Sequence, residues 1–215
     1  MRASLDTNVI IHFYRAGLQD ILFDFFNEGV FIYEQIRNIE LENYGGDILD
    51  RYFKSEVKMD YIIRELQQTE VDILNDFLYE AIFIPEGIAA PSRDIIYQPE
   101  LQVYVKDFGK VKDDIALVAE AQGKIIGAVW VRIMDDYGHI DDLTPSFAIS
   151  LYKQYRNKGI GTALMKRMLN VLQERKYKQA SLAVQKSNYA VKMYQDLGFE
   201  IMDENAEEYI MVCKL

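Results

Sequence analysis

The sequence contains one cysteine, Cys213, and two histidines in 215 residues. A lone cysteine excludes a disulfide within the chain and fits a reducing, cytoplasmic setting. Within the apolar run "YIMVCKL" it reads as a small buried hydrophobe. His12 and His139 stand far apart, with no partner at metal-ligand spacing, so no metal is expected. Long apolar runs are also missing. The stretch "IIGAVWV" falls well short of the ~20 residues that a membrane span needs, so no membrane is expected. Asp6, His12 and Arg15 interrupt the early apolar run, unlike a signal peptide. Positive charge is scarce: 24 Lys and Arg stand against 34 Asp and Glu, a net charge of −10. Such a chain is a poor host for nucleic acid, whose binding rests on phosphate attraction, and a better one for a cationic amine.

What is present is the material of a core, since half the residues are hydrophobic and 13% are aromatic. From residue 59 the pattern reads as one unit. "YIIREL" is a strand. "TEVDILNDFLYEAIF" is a helix with Thr69 as its cap and Val71, Leu74, Phe77, Leu78 and Ile82 on one face. The loop "IPEGIAAPSRD" precedes a short helix that opens at Pro99. "IALVAEA" and "IIGAVWVRIM" form a hairpin over "QGK", and "SFAISLY" follows the acidic turn "DDYGHIDDLTP". A helix from Gly161 to about Arg175 carries Leu164, Met168, Leu169 and Leu172 on one stripe. "QASLAVQ", the helix "SNYAVKMYQDLG" and a closing strand pair complete a mixed α/β (α+β) domain with a single sheet.

The stretch "QYRNKGIGTALM", residues 154–165, joins a strand to a helix through two glycines. Amides at a helix start lack internal partners and, with the helix dipole, form an anion site that glycine lets a ligand approach. "RNKGIGT" should therefore cradle a phosphate. No "GxxxxGK[ST]" string exists, and Leu164 stands where a dinucleotide fingerprint needs its third glycine. Lys153 to Lys178 carries eight basic residues and one acid, net +7, which leaves −17 for the rest of the chain. One basic patch in an acidic protein points to one phosphorylated ligand.

"YRNKGIGTALM" resembles the pyrophosphate motif of GNAT acyltransferases, Arg/Gln-x-x-Gly-x-Gly/Ala, at Arg156, Gly159 and Gly161. "SLAVQKSNYAVKMYQDLGFE" is similar to the family's second signature at Asn188, Tyr194, Gly198 and Phe199. With the element order, the resemblance covers residues 59–215 and implies the GNAT acyl-CoA N-acyltransferase fold, a mixed central sheet with four main helices. It implies an acetyl-CoA (coenzyme A) donor and a small-molecule or peptide amine acceptor. The backbone of Ile149, Ser150 and Leu151 would face the pantetheine and the acyl carbonyl. Backbone amides of Arg156, Asn157, Lys158, Gly159, Ile160, Gly161 and Thr162 would hold the pyrophosphate. Asn188 would contact the cofactor or fix its loop, and Tyr194 would sit near the thioester sulfur as the proton donor to the leaving thiolate.

An ammonium acceptor must lose a proton before attack, and backbone amides of a splayed strand would stabilise the oxyanion. The strand "TPSFAISL" has no carboxylate, a departure from a frequent family pattern. Asp141 and Asp142, just before that strand, are the expected bases, acting directly or through water; Glu120 and His139 are further candidates. Glu80, Glu86, Arg93, Asp94 and Tyr97 are polar groups near the expected acceptor surface.

The opening residues, "SLDTNVII", resemble the start of PIN-domain ribonucleases, with Asp6 and, in "EQIRNIEL", Glu40 as acidic positions. The later acidic motifs of that family are missing. Residues 1–58 are thus expected to be a small, truncated PIN-like αβ segment that packs on the second domain or pairs with another chain, for instance in a homodimer. The leading expectation is an N-acetyltransferase working in a ternary complex. The alternatives are a non-catalytic acetyl-CoA-binding or partner-binding module and a metal-dependent ribonuclease through the N-terminal segment.

Overall fold

Seven strands form one sheet in a computed structural model that describes residues 60–84 and 87–215. The strands are β1 (Ile62–Glu65), β2 (Ile115–Ala121), β3 (Lys124–Arg132), β4 (Ser146–Leu151), β5 (Gln179–Gln185), β6 (Phe199–Glu204) and β7 (Glu208–Lys214). Their order is β1-β2-β3-β4-β5-β7-β6. Every pairing is antiparallel except β4 with β5, which is parallel. Four helices accompany them: α1 (Ile73–Ala81), α2 (Pro99–Gln102), α3 (Ile160–Glu174) and α4 (Ala190–Asp196). Tyr61–Leu215 forms a compact unit. The PIN-like segment with Asp6 and Glu40, the boundary residue Met59, and Glu86 lie outside the described residues.

The start of α1 differs from the expectation. Thr69 falls in a 3-10 turn, Gln68–Glu70, and α1 begins at Ile73. Gln67 and Glu70 make the reciprocal cap instead, the Gln67 amide donating to the Glu70 carboxylate at 3.0 Å. That carboxylate also takes two hydrogen bonds of 2.7 Å from Arg64 on β1, so the turn is tied to the sheet. Ile82 lies past the helix end in extended backbone.

Alternation along the strands sends side chains to two cores. On one face Val118, Ala128 and Trp130 pack with Leu74, Phe77 and Leu78 of α1 and with Val105 and Phe108 beyond α2. The Trp130 indole donates to the Tyr104 carbonyl at 3.1 Å, so its one polar atom is satisfied in the core. On the other face Leu117, Val129 and Val131 meet α3, whose Leu164, Met168, Leu169 and Leu172 are all buried. Burying each such side chain stabilises by about 1.5–3 kcal/mol. Cys213, on β7, is buried. Among the described residues, no helix is long and apolar enough to cross a membrane, and no group of three or more His, Cys, Asp or Glu could hold a metal.

These two cores fix the feature that matters for function. β4 and β5 share a single register pair, Ser146 with Ser181. Beyond it the strands part, and β4 keeps only its β3 neighbour, from Arg132↔Ser146 to Gly127↔Leu151.

Candidate active site

The parted strands open into a cavity of about 670 Å³. Its walls come from the end of β4, the turn into α3, the start of α4 and the end of α1 with the chain that follows it. Amides along a strand point alternately to its two edges. The Tyr152 amide donates to Ile126 on β3 at 3.2 Å. By that alternation Ile149 and Leu151 turn their N–H and C=O groups away from β3, into the fork.

The turn leading into α3 is shaped for an anion. Asn157 (φ 59) and Gly159 (φ 75) are both left-handed, and Gly159 is the N-cap of α3. Alternation into the left-handed region gathers successive N–H groups into a concave nest. The first backbone bond of α3 runs from Ala163 to Gly159 at 3.0 Å. The amides of Ile160, Gly161 and Thr162 therefore have no acceptor within the helix. A Cβ built on Gly159 would meet no atom within 4 Å, so the glycine faces open space. A Cβ on Gly161 would meet only Leu151, Ile149 and Met193, all three of them cavity-lining. A pyrophosphate fits this cradle by charge, donors and room.

Arg156 is engaged within the protein. Its guanidinium donates to the Leu151 carbonyl (2.9 Å), the Glu80 carbonyl (3.0 Å) and the Glu80 carboxylate (2.9 Å). It thus joins the fork side of β4 to the end of α1. Ser150, on the opposite edge geometry, donates its hydroxyl to the Phe77 carbonyl at 2.6 Å, a second tie between β4 and α1.

Asn188 acts on its own loop. Its side-chain oxygen accepts from the Ala190 amide at 2.9 Å and so sets the start of α4. α4 carries Tyr194 to the cavity wall, 8% exposed and edge-on to Phe199 with ring centroids 6.0 Å apart. Burial, with a smaller contribution from Tyr189, holds the Tyr194 hydroxyl well above the ordinary phenol range. The phenol stays protonated at neutral pH and is available as a donor.

Eleven of the expected residues line the cavity: Glu80, Ile149, Ser150, Leu151, Arg156, Asn157, Gly159, Gly161, Thr162, Asn188 and Tyr194, whereas Arg93, Asp94 and Tyr97 do not. Lys158 is exposed outside the lining, and Ile160 is buried under the turn. Asp141 and Asp142 do not line the cavity. Asp141 is taken up in a local turn, accepting from the Thr144 hydroxyl (2.7 Å) and the Leu143 amide (2.9 Å). These bonds, the Thr144 hydroxyl first, hold its carboxyl below the usual value, which makes it a weak base. Asp142 is exposed. Glu120 is bound by Arg64 at 2.7 Å, and the His139 ring contacts the Met134 carbonyl at 2.9 Å. The sequence reading passed over Tyr79, Phe83, Ile84, Ile88 and Met193, which also line the cavity. The apolar ones carried no motif, and only the fold brings α1 to the fork.

The sequence pattern of the Acetyltransferase (GNAT) family matches residues 81–199. The chain belongs to the GNAT acetyltransferase family. It is an enzyme of that family, an acetyl-CoA-dependent N-acetyltransferase. Solved structures of this fold are similar to it. The PaiA N-acetyltransferase from Thermoplasma acidophilum, in complex with coenzyme A, is 20% identical with a TM-score of 0.56, covering 73% of this chain and 100% of its own. A GNAT-family acetyltransferase from Streptococcus pneumoniae is 20% identical with a TM-score of 0.53 over the same shares. The ribosomal-protein-S18-alanine N-acetyltransferase from Escherichia coli is 17% identical with a TM-score of 0.51, covering 72% of this chain and 94% of its own. No curated protein matches the chain in sequence.

Proposed function

We propose that residues 59–215 transfer an acetyl group from acetyl-CoA to a primary amine by direct attack within a ternary complex. The observation that carries this reading is the single β4–β5 register pair, which leaves the fork-facing amides of Ile149 and Leu151 free beside a phosphate cradle. When bound, acetyl-CoA supplies an activated acyl carbon and a thiolate leaving group. The amides from Asn157 to Thr162 would hold its pyrophosphate at the dipole-positive end of α3, whereas the Arg156 amide is spent on the Lys153 carbonyl at 3.2 Å. The Ile149 N–H, which faces the fork, would stabilise negative charge developing on the acyl oxygen, and a preorganised donor of this kind lowers the barrier by about 2.7–4 kcal/mol. Tyr194 donates its proton, or a hydrogen bond, to the departing sulfur. No covalent intermediate on the chain is needed, and Cys213 lies buried away from the cavity lining.

The acceptor enters past Tyr79 and the chain following α1. The Tyr79 hydroxyl holds that chain at Pro91 (2.7 Å), and Arg93 stacks over the Tyr79 ring while pairing with Asp76. The cavity wall here is mostly apolar, through Ile82, Phe83, Ile84 and Ile88. An amine carried on an apolar or aromatic stem suits it. Residues 1–58 are a separate segment in this reading.

Calorimetric titration with acetyl-CoA, then thiol release with added primary amines, tests the proposal. One-site binding and amine-dependent release are expected. Binding without release for every amine would leave a binding module in place of an enzyme acting by this route.

A further inference from the structure

The cavity wall carries two cations, Lys153 and Arg156, and among the described residues Glu80 is the only acidic residue that lines it. Glu80 stands in the last turn of α1, where the helix dipole disfavours a carboxylate. The tie between α1 and β4 does not call for one. The Arg156 guanidinium reaches the Glu80 carbonyl at 3.0 Å, and any residue would supply that carbonyl.

The Glu80 carboxylate is also used differently from the structural one at Glu70. There Arg64 takes both oxygens, each at 2.7 Å. Arg156 pairs with Glu80 through Oε2 at 2.9 Å. A carboxylate can accept about four hydrogen bonds, so pairing through one oxygen leaves capacity for a further donor. The guanidinium that holds Oε2 also holds the Leu151 carbonyl at 2.9 Å. Leu151 faces the fork, and Leu151, Arg156 and Glu80 all line the cavity. One guanidinium therefore sets the carboxylate beside the open edge of β4, on the α1 side of the fork. The chain after α1 continues this wall with Phe83, Ile84 and Ile88, and Ile88 is 64% exposed.

The field beside this turn is negative. Tyr152 follows β4 and packs on Phe77 of α1, with ring centroids 5.0 Å apart. Burial first, then the charges of Asp76 and Glu80, push its hydroxyl above the ordinary phenol range, and Arg93 offsets them only in part.

Resting on the acetyltransferase reading, we propose that Glu80 recognises the acceptor: its carboxylate accepts a hydrogen bond from the ammonium while the stem lies along Phe83, Ile84 and Ile88. The substrate class is a primary amine that arrives charged on an aromatic or aliphatic stem. The role is selection and positioning. Once the nitrogen has lost a proton to water, a remaining N–H keeps the bond to Glu80 and the lone pair is free for attack. A charge-assisted hydrogen bond is roughly twice as strong as a neutral one, so Glu80 discriminates between acceptors by their charge.

The test compares benzylamine, charged at neutral pH, with phenylhydrazine, which carries the same ring on a stem of similar length and is neutral there. Thiol release at saturating acetyl-CoA gives kcat/KM for each acceptor with the parent chain and with E80Q. A disturbance of the donor site acts on both acceptors and cancels in their ratio. E80Q should lower the benzylamine-to-phenylhydrazine ratio about tenfold or more, chiefly through a higher KM for benzylamine. A ratio within about twofold of the parent's overturns the proposal and leaves the acetyltransferase reading intact. Competition with the parent chain gives a second measurement. Benzamidine, a cation on the same ring, should compete with benzylamine, and the neutral benzamide should do so at least about tenfold more weakly. Equal competition by the two overturns the proposal even if E80Q fails to fold. A parent chain that neither binds acetyl-CoA nor releases thiol with either acceptor would sink the acetyltransferase reading as well.

Discussion

The donor side of the fork and its acceptor side are built on different principles. The donor side uses backbone: amides of β4, the left-handed turn at Asn157 and Gly159, and the start of α3. Side chains there mainly hold the backbone in place, as Arg156 and Asn188 do. The acceptor side uses side chains brought from afar. Arg156 meets Glu80 across 76 residues, and the Tyr79 hydroxyl reaches the Pro91 carbonyl across 12. A site made of backbone needs glycines at fixed offsets and a helix after a strand. A site made of side chains needs only that the fold deliver them.

The sharpest break between the two sides comes from charging the cradle. Gly161→Glu places a carboxylate among the amides meant for pyrophosphate. Acetyl-CoA affinity should fall by more than a hundredfold, about 2.7 kcal/mol or more, with the unfolding midpoint little changed. Calorimetry and a melting curve report both. Gly161→Ala is the companion. Its Cβ would sit at 3.4 Å from Leu151, ordinary contact, so affinity should hold within a few-fold. Parent-like binding by the glutamate variant would move the phosphate site elsewhere.

Tyr194→Phe tests the border. Tyr194 lies in the cavity wall, and burial keeps its hydroxyl protonated. Turnover should drop roughly tenfold to a thousandfold, in the range of a lost proton donor, while donor affinity stays put. Steady-state rates beside calorimetry separate the two, and equal turnover would remove Tyr194 from the chemistry.

The segment between β3 and β4, away from the cavity wall, is tested through Gly138. Any side chain there meets the Ala183 amide, Ser146 Oγ and the Leu182 carbonyl carbon at 2.9–3.0 Å. The segment must shift off the strands to admit a methyl group. Gly138→Ala should cost about 1–3 kcal/mol in denaturant unfolding, the usual range for overpacking. A variant as stable as the parent would show that the segment is not seated against β4 and β5.

The same contrast explains what was legible in the sequence. Residues 154–165 announced strand, turn and helix because the phosphate cradle is local and its glycines have geometric reasons. The order of strands followed from hairpin spacing and alternation. The cap at Thr69 did not hold, since Arg64 and Gln67 bind Glu70, which the pattern had placed inside the helix, and hold it in a separate turn. The acceptor side was less readable still. "DDYGHIDDLTP" offers four aspartates of equal merit, and proximity to β4 favours Asp141 and Asp142. The fold turns only Asp136 of the four inward, beside Tyr104 and Ser146, and brings none of them to the cavity wall, which no short-range pattern encodes.

The pair that crosses the boundary gives the smallest effect and the finest test. Arg156 and Glu80 are 27% and 20% exposed at their side chains, so their attraction is partly screened. Glu80→Gln should cost no more than about 1 kcal/mol of stability, the range for such pairs. Its interest lies in coupling. Arg156 also holds the Leu151 carbonyl, and Glu80 ends the helix that leads into the acceptor wall. If the two sides communicate through this contact, Glu80→Gln should weaken acetyl-CoA binding a few-fold although Glu80 is placed on the acceptor wall. A double-mutant cycle with Arg156→Lys then decides: a coupling energy of at least 0.5 kcal/mol in donor affinity marks a working link. Strict additivity would mean that the donor and acceptor sides are built not only differently but independently.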